Sequence, residues 1–509
     1  MAIRPNTNKG ALAVMSDRLI LLTGASGYVG SHLLKALESG GHRVRCVVRH
    51  PEALATKAPS TTVVRGDVLD RKSLAAAMHG VDTAYYLIHS MSSDRAFEKA
   101  DREGAHNFAD AARAAGIRRI IYLGGLGTSS RSLSRHLRSR HEVGEILRAS
   151  GVQVIEFRAS AVIGAGSLSF EMVRALAERL PIMIMPRWVS MEAQPIAIDD
   201  SLRYLIAALD LDTRRNRIFE IGGADRVSYA GIISEYARQR GLRRAMIRVP
   251  ILTPRLSSWW LKLVTPMQAR VGRELVESIQ HATVVSDDLA MRTFPIRPVG
   301  ISQAIADALR AEDQEIASIR WSDALSATPL NSSWGGVRIG NRLVVSQTIE
   351  TSDSPARAFA PIQRIGGAVG WYYGRWLWEG RALVDRVLGG PGMRRGRADG
   401  STIKVGDQID FWRVSNFEPN RKLTLAAEMK VPGRAWIDFE VEPSAAGTTI
   451  RETAVFDPLG LFGLLYWYLS YPIHQWVFRG MLRRIATAAS SPAHTATRPM
   501  RAETSALSS

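Results

Sequence analysis

Three glycines spaced by threes, Gly24, Gly27 and Gly30, stand between an apolar run and an amphipathic stretch. The run, residues 18–23, is short and almost wholly apolar, as a strand buried on both faces of a parallel sheet must be. The stretch after it puts Val29, Leu33, Leu34 and Leu37 on one helical face and ends at Gly40-Gly41. Strand, glycine turn and helix in that order make a cradle for phosphate. Gly24 permits the tight turn, Gly27 lets backbone N–H groups approach a pyrophosphate, and Gly30 lets the helix close on the strand. The candidate binding residues of this turn are Gly24, Ala25, Ser26, Gly27, Tyr28, Val29 and Gly30.

Further short apolar runs follow at residues 44–48, 62–64, 83–88, 119–123 and 153–157, with Ala-rich helical stretches such as 96–115 between the later ones. Strands alternating with helices predict an α/β fold, a doubly wound parallel sheet covered on both faces. The pattern changes after residue 313. Residues 326–336 are rich in Ser, Pro, Asn and Gly and read as a connector. Beyond them Ala435, Ile437, Phe439 and Val441 alternate with Trp436, Asp438, Glu440 and Glu442, a strand with two unlike faces. Similar runs lie at 342–349, 408–414, 421–429 and 448–456. Helices are expected at 354–365, capped by Ser354 and Pro355, and at 370–388, stopped by Gly389-Gly390-Pro391. A last long element runs from about 459 to 489. This order predicts an α+β domain whose antiparallel sheet grips the closing helix around an apolar cavity. The organisation expected is a tail at 1–16, a first domain at 17–313, a linker at 314–335, a second domain at 336–490 and a tail at 491–509.

Charge and cysteine content exclude some functions. The 509 residues carry 66 Lys+Arg against 48 Asp+Glu, a net +18, and only nine of the basic residues are Lys. The excess is +11 over residues 1–315 and +7 over 316–509, without a dense basic run. It reads as a solvated Arg-rich surface, and no nucleic-acid motif accompanies it. The single Cys46 rules out an intrachain disulfide and fits a reducing, cytoplasmic setting. The only apolar stretch in residues 1–16 is too short for a signal-peptide core. No cluster of His, Cys, Asp and Glu has metal-ligand spacing, so no metal site is expected. Residues 459–471 are strongly apolar, but Ser470, Pro472, His474 and Gln475 interrupt the run before the roughly 20 residues a bilayer span needs. They read as the buried gripping helix, with Trp and Tyr able to make peripheral contact at the inner face of a membrane. Arg479, Arg483 and Arg484 suit either a helix C-terminus or an anionic surface.

The Gly-x-x-Gly-x-x-Gly turn resembles that of the short-chain dehydrogenase/reductase superfamily, specifically its extended and atypical, NmrA-like branches. Segments 156–164 and 195–200 and the late strand 219–223 continue the resemblance, which covers about residues 17–313. It implies a Rossmann-type NAD(P)-binding domain. Arg49 then stands where NAD-preferring members carry an acidic residue, and an Arg there pairs with a 2′-phosphate, so NADP(H) is preferred over NAD(H). The resemblance places Asp67 and Val68 at the adenine, and Ile88 and His89 along the cofactor cleft. Most members also carry Tyr-x-x-x-Lys on the helix after the fifth strand, and a Ser at the end of that strand. Here the helix reads His136-x-x-x-Arg140 and the strand ends Leu123-Gly124-Gly125. His136 is the candidate acid near neutral pH. Arg140 can hold a ribose but, always protonated, cannot relay a proton.

The C-terminal part resembles the family of unknown function DUF2867, through Gly389-Gly390-Pro391-Gly392, Asp410-Phe411-Trp412-Arg413-Val414, residues 427–433 and the Tyr466-Trp467 region. Such domains look like the START/polyketide-cyclase superfamily, a helix-grip fold around an apolar pocket. The aromatics Trp371, Tyr372, Tyr373, Trp376 and Trp378 then line a pocket or pack as helix core, and Glu379, Asp385 and Asp410 are expected to pair with nearby Arg. The function implied is an NAD(P)H-binding oxidoreductase acting on a hydrophobic small molecule held with the second domain. An alternative is a non-catalytic NADP(H)-sensing or assembly protein, like the NmrA regulators or the complex I accessory subunit. A nucleotide-sugar epimerase or dehydratase is a weaker third reading, since those enzymes also rely on the Tyr/Lys pair.

Overall fold

The computed structural model describes residues 18–51, 54, 58–88, 96–127, 134–185, 187–248, 282–318, 337–339, 342–367, 369–395, 403–444 and 447–490. The chain divides into two compact units, 1–312 and 313–509. The expected tails, the connector at 326–336 and His89 lie outside the described residues.

In the first unit seven strands alternate with helices: β1 (Leu19–Thr23), β2 (Arg43–Val48), β3 (Thr61–Arg65), β4 (Thr83–Tyr86), β5 (Arg119–Gly125), β6 (Gln153–Ala159) and β7 (Arg217–Ile221). They form one parallel sheet in the order β7-β6-β5-β4-β1-β2-β3. The winding reverses between β1 and β4, so a crevice opens beyond their C-terminal ends. Successive side chains of β1 explain the two covered faces. Ile20 and Leu22 pack with Leu33, Leu34 and Leu37 of α1 (Tyr28–Ser39). Leu21 points the other way, into a core shared with Leu74 of α2 (Arg71–Ala77) and with Ala105 and Phe108 of α3 (Ala96–Ala114). α4 (Arg135–Ala149) follows β5. A third cluster, built on Phe170 and Leu176 of α5 (Leu168–Arg179), Tyr236 of α7 (Tyr229–Gln239) and Ile305 of α9 (Ile301–Ser318), extends the unit beyond the sheet. Between them come α6 (Ile198–Ala207) and the short α8 (Leu289–Thr293).

The second unit is an antiparallel sheet of seven strands: β8 (Val337–Ile339), β9 (Arg342–Thr351), β10 (Gln408–Ile409), β11 (Trp412–Glu418), β12 (Lys422–Ala427), β13 (Gly433–Ser444) and β14 (Gly447–Pro458), in the order β8-β9-β14-β13-β12-β11-β10. Among the described residues three α-helices accompany it: α10 (Pro355–Gln363), α11 (Arg375–Val387) and α12 (Gly460–Ser490). The alternation in β13 sorts its faces. Ile437, Phe439 and Val441 join Leu423, Leu425, Ile450 and Ala454 against Phe359 of α10 and Phe478, Met481 and Ile485 of α12. The other face carries Lys422, whose Nζ lies 3.3 Å from Asp438 Oδ2 and 3.6 Å from Glu440 Oε1. No helix among the described residues is long and apolar enough to cross a membrane.

Three expectations need correction. The helix expected at 370–388 begins only at Arg375, because Gly370, Tyr372 and Gly374 all adopt positive φ. The strand expected at 408–414 breaks at Asp410, which has φ 53°. Among the described residues, neither Asp410 nor Asp385 is paired with an Arg. Asp410 Oδ2 accepts from the Trp371 indole at 2.9 Å, and the Asp385 carboxylate accepts from the Lys430 N–H at 2.6 Å and the Gly392 N–H at 2.9 Å. A Cβ on Gly390 would strike the Asp385 carboxyl, so glycine there lets the Gly389–Gly392 loop wrap the buried Asp385 side chain. Glu379 does pair with Arg375, at 2.8 Å.

Candidate functional site

A cavity of about 280 Å³ opens at the C-terminal ends of β1, β4, β5 and β6. Its floor is the glycine turn. Thr23 holds the turn at the point where the sheet reverses: its hydroxyl donates to the Tyr85 carbonyl at 2.9 Å and accepts from the Leu87 N–H at 3.3 Å. Gly24 has φ 74°, and a Cβ there would lie 2.6 Å from the Leu87 oxygen. A Cβ on Gly30 would run into the Gly24 carbonyl, so only glycine lets α1 start this close. No side chain caps α1, which leaves its first-turn N–H groups directed at the cavity mouth, where a phosphate would be held.

Of the residues singled out from the sequence, Gly24, Gly27, Tyr28, Val29, Gly30, His136 and Arg140 meet in this wall. Ala25 and Ser26 belong to the same turn, Ala25 buried and Ser26 exposed. Arg49, Asp67, Val68 and Ile88 lie just past β2, β3 and β4, outside the wall. Arg49 is exposed. Asp67 Oδ1 accepts from the Leu69 N–H at 3.0 Å, and Val68 is packed in the core with α3, its carbonyl accepting from Asn107 at 3.1 Å.

α4 brings His136 and Arg140 to the cavity on one face, four residues apart. Burial, aided by the Arg140 charge, pushes the His136 imidazole down to about 3. The expectation of a group titrating near neutrality is therefore corrected: His136 stands in this site as neutral imidazole. The missing Ser has a steric reason. A Cβ on Gly125 would lie 2.7 Å from Leu137 Cδ2 and 3.4 Å from Arg140 Cδ, so the glycine at the end of β5 is what lets α4 bring Arg140 inward. Tyr122 anchors the same turn of α4, its hydroxyl donating to the Arg140 carbonyl at 2.8 Å.

The far wall holds polar groups that sequence reasoning missed. Ser160 Oγ and Thr283 Oγ1 are 2.8 Å apart, and Tyr229 at the start of α7 hydrogen-bonds Thr283, its phenol pushed up to about 12 by burial. Ser160 sits in a segment already noted for family resemblance. Tyr229 and Thr283 carry no local signal, because they reach the cavity only by tertiary packing. Met172 adds an apolar surface beside them.

Comparison with known proteins agrees with this geometry. Residues 24–174 match the family described as NAD(P)H-binding, and residues 342–481 match the protein family of unknown function DUF2867. The photosystem II assembly factor Ycf39 of Cyanophora paradoxa is 27% identical over 240 residues, 46% of this chain and 72% of that protein. The ceramide reductase of Caulobacter vibrioides is 28% identical over 199 residues, 38% of this chain and 62% of that protein, so less than two thirds of its length is spanned. Among solved structures, the NADPH-dependent quinone oxidoreductase of Escherichia coli complexed with NADPH is similar at 19% identity and TM-score 0.47, over 57% of this chain and 98% of the other. The glycine turn and the sheet order lie within or around the segment that matches the NAD(P)H-binding family, residues 24–174, and the antiparallel sheet of the second unit lies largely within the segment that matches DUF2867, residues 342–481.

Proposed function

We propose that the first domain binds NADP(H) and passes a hydride between its nicotinamide and a hydrophobic molecule. The carrying observation is the cavity itself, which joins the glycine turn at one end to Met172, Tyr229 and the Ser160–Thr283 pair at the other. In this reading the pyrophosphate sits on the N-terminus of α1, and the adenosine end runs outward past Arg49, Asp67 and Val68. Ile88 and Arg140 lie along the nicotinamide half, and Arg140 holds the ribose in place of Lys. Arg49 selects the 2′-phosphate. His136, held neutral, positions a substrate oxygen by hydrogen bonding, and Tyr229 is the better proton donor of the two. Bound NADPH would supply the hydride. The ceramide reductase relative supports an apolar substrate.

The second domain is read as a START-like helix grip. Its sheet and α12 enclose an apolar cavity of about 360 Å³ that would hold the hydrophobic molecule. Exposed Leu461, Phe462, Leu465, Leu469, Ile473 and Trp476 form a stripe along α12 at helical spacing, which supports peripheral contact with the cytoplasmic face of a membrane.

A second reading, an NADP(H)-responsive assembly or sensor protein, is favoured by the replaced Tyr/Lys pair and by the Ycf39 relative. One experiment separates the two. Full-length protein is titrated with NADPH and then offered hydrophobic aldehydes, ketones and quinones while absorbance at the nicotinamide band is followed. Turnover lost in Tyr229→Phe with NADPH binding intact supports the reductase. Tight NADPH binding with no oxidation across the panel supports the sensor.

A further inference from the structure

The cavity of the second domain is apolar almost throughout, with Trp378, Ile437, Ala454, Phe456, Trp467 and Val477 on its walls. Among the polar side chains that line it, Ser470 is spent on the Tyr466 carbonyl at 2.7 Å, while three end in a buried atom with no hydrogen-bond partner among the described residues: Arg381 at Nε and Nη1, His474 at Nδ1 and Trp412 at Nε1. Buried donors are rarely left unmade, because each gives up its hydration without return. Here three converge on one space from separate elements, α11, β11 and α12.

The Arg381 guanidinium is tethered by one arm only, Nη2 donating to the Lys430 carbonyl at 2.6 Å. Neighbouring carboxylates are spent elsewhere. Glu379 pairs with Arg375, and Asp385 takes the N–H groups of Lys430 and Gly392. No carboxylate among the described residues is within ion-pair reach of Arg381. The inner face also holds Glu452, next to Ala454 on the same side of β14, whose carboxyl burial pushes well above the usual carboxylate range. The imidazole of His474 is fixed among the Tyr466, Trp467 and Phe478 rings, and the Arg381 charge reaches it, which together with burial holds it neutral.

We propose that this cavity binds an amphipathic carboxylic acid, its apolar body between α11, α12 and the sheet and its carboxylate on Arg381, with Trp412 and His474 completing the headgroup site. One uncompensated cation matches one monoanion. Three donor side chains suffice for a carboxylate, whereas a phosphate dianion would want more donors and more charge. The volume, about 360 Å³, lies at the lower end of the range of about 300–1,000 Å³ that ligand pockets occupy. Entry is provided for by Trp376, Val384 and Ile473, which line the cavity and are also exposed. This assignment deepens the reading that the second domain holds a hydrophobic molecule, and rests on it.

The test uses the full-length protein with dodecanoate, dodecanol and dodecyl phosphate as probes, read by calorimetry and by quenching of the cavity tryptophans. Dodecanoate should bind at least tenfold more tightly than dodecanol. Arg381→Gln should remove that preference while leaving dodecanol binding unchanged, and Arg381→Lys should keep part of it. The preference is measured first in the unmodified protein and in Trp412→Phe, so a misfolded Arg381→Gln variant would not spoil the result. Equal binding of acid and alcohol, or tighter binding of dodecyl phosphate, overturns the proposal. Dodecanoate bound here, together with no NADPH oxidation across the aldehydes, ketones and quinones, would sustain this site and refute the reductase reading. Turnover of a neutral ketone by a protein that ignores dodecanoate would do the reverse.

Discussion

Gly125→Ser restores the residue type most short-chain dehydrogenases carry at the end of β5, and the structure says that it will harm rather than help. The new Cβ would lie 2.7 Å from Leu137 Cδ2, against about 3.5–4.0 Å for an ordinary carbon contact, an overlap of roughly 1 Å. Leu137 is 6% exposed, so its Cδ2 has packed neighbours to displace if it is to give way. Overpacking of this kind costs about 1–3 kcal/mol, and a buried hydroxyl without a partner costs a further ~1–3 kcal/mol. A total near 3 kcal/mol should lower the melting temperature of the first domain by about 6–12 °C, at about 2–4 °C per kcal/mol for a domain of this size class. Differential scanning fluorimetry identifies that domain's transition as the one NADPH shifts. Gly125→Ala separates the two contributions and should show roughly half the loss. Displacing α4 also displaces Arg140, so NADPH affinity should fall with stability. A Gly125→Ser protein that melts within a degree of the unmodified one, or that gains turnover, would refute the steric account of the missing Ser.

Arg49→Ala should weaken NADPH by about ten- to a hundredfold, the equivalent of ~1.5–3 kcal/mol for a charge-assisted contact, and leave NADH nearly unchanged; equal losses for both would remove the 2′-phosphate assignment. His136 titrates at about 3 in the fold against about 6.5 unfolded, so its contribution to stability is complete above pH 6.5 and is lost as pH falls toward 3. After allowance for partial solvent screening, this costs the first domain on the order of 1 kcal/mol at pH 5, and urea midpoints of His136→Phe should be flatter between pH 7 and 5. Asp385→Ala should destabilise the second domain by about 3–5 kcal/mol, since it frees the Lys430 and Gly392 N–H groups from a buried carboxylate; a change below 1 kcal/mol in its denaturant midpoint would count against the loop-wrapping role.

Local pattern by itself determined a good deal of this protein. An apolar run, a glycine triplet and an amphipathic helix stand within residues 18–39, so the phosphate turn and the parallel sheet it implies could be read from neighbours alone. The alternation at 435–442 likewise announced a strand with one buried face. What only the tertiary structure decided is which side chains meet and what surrounds them. Ser160 and Thr283 are 123 positions apart, and Arg381, Trp412 and His474 come from three elements with no shared motif. The Gly370 and Gly374 turns break an expected helix because the positive φ at Gly370, Tyr372 and Gly374 cannot continue a right-handed helix, whatever the helix preference of the residues between them. The same limit governs His136. Its position on α4 follows from spacing, but its charge state follows from burial beside Arg140, and burial depends on the whole chain.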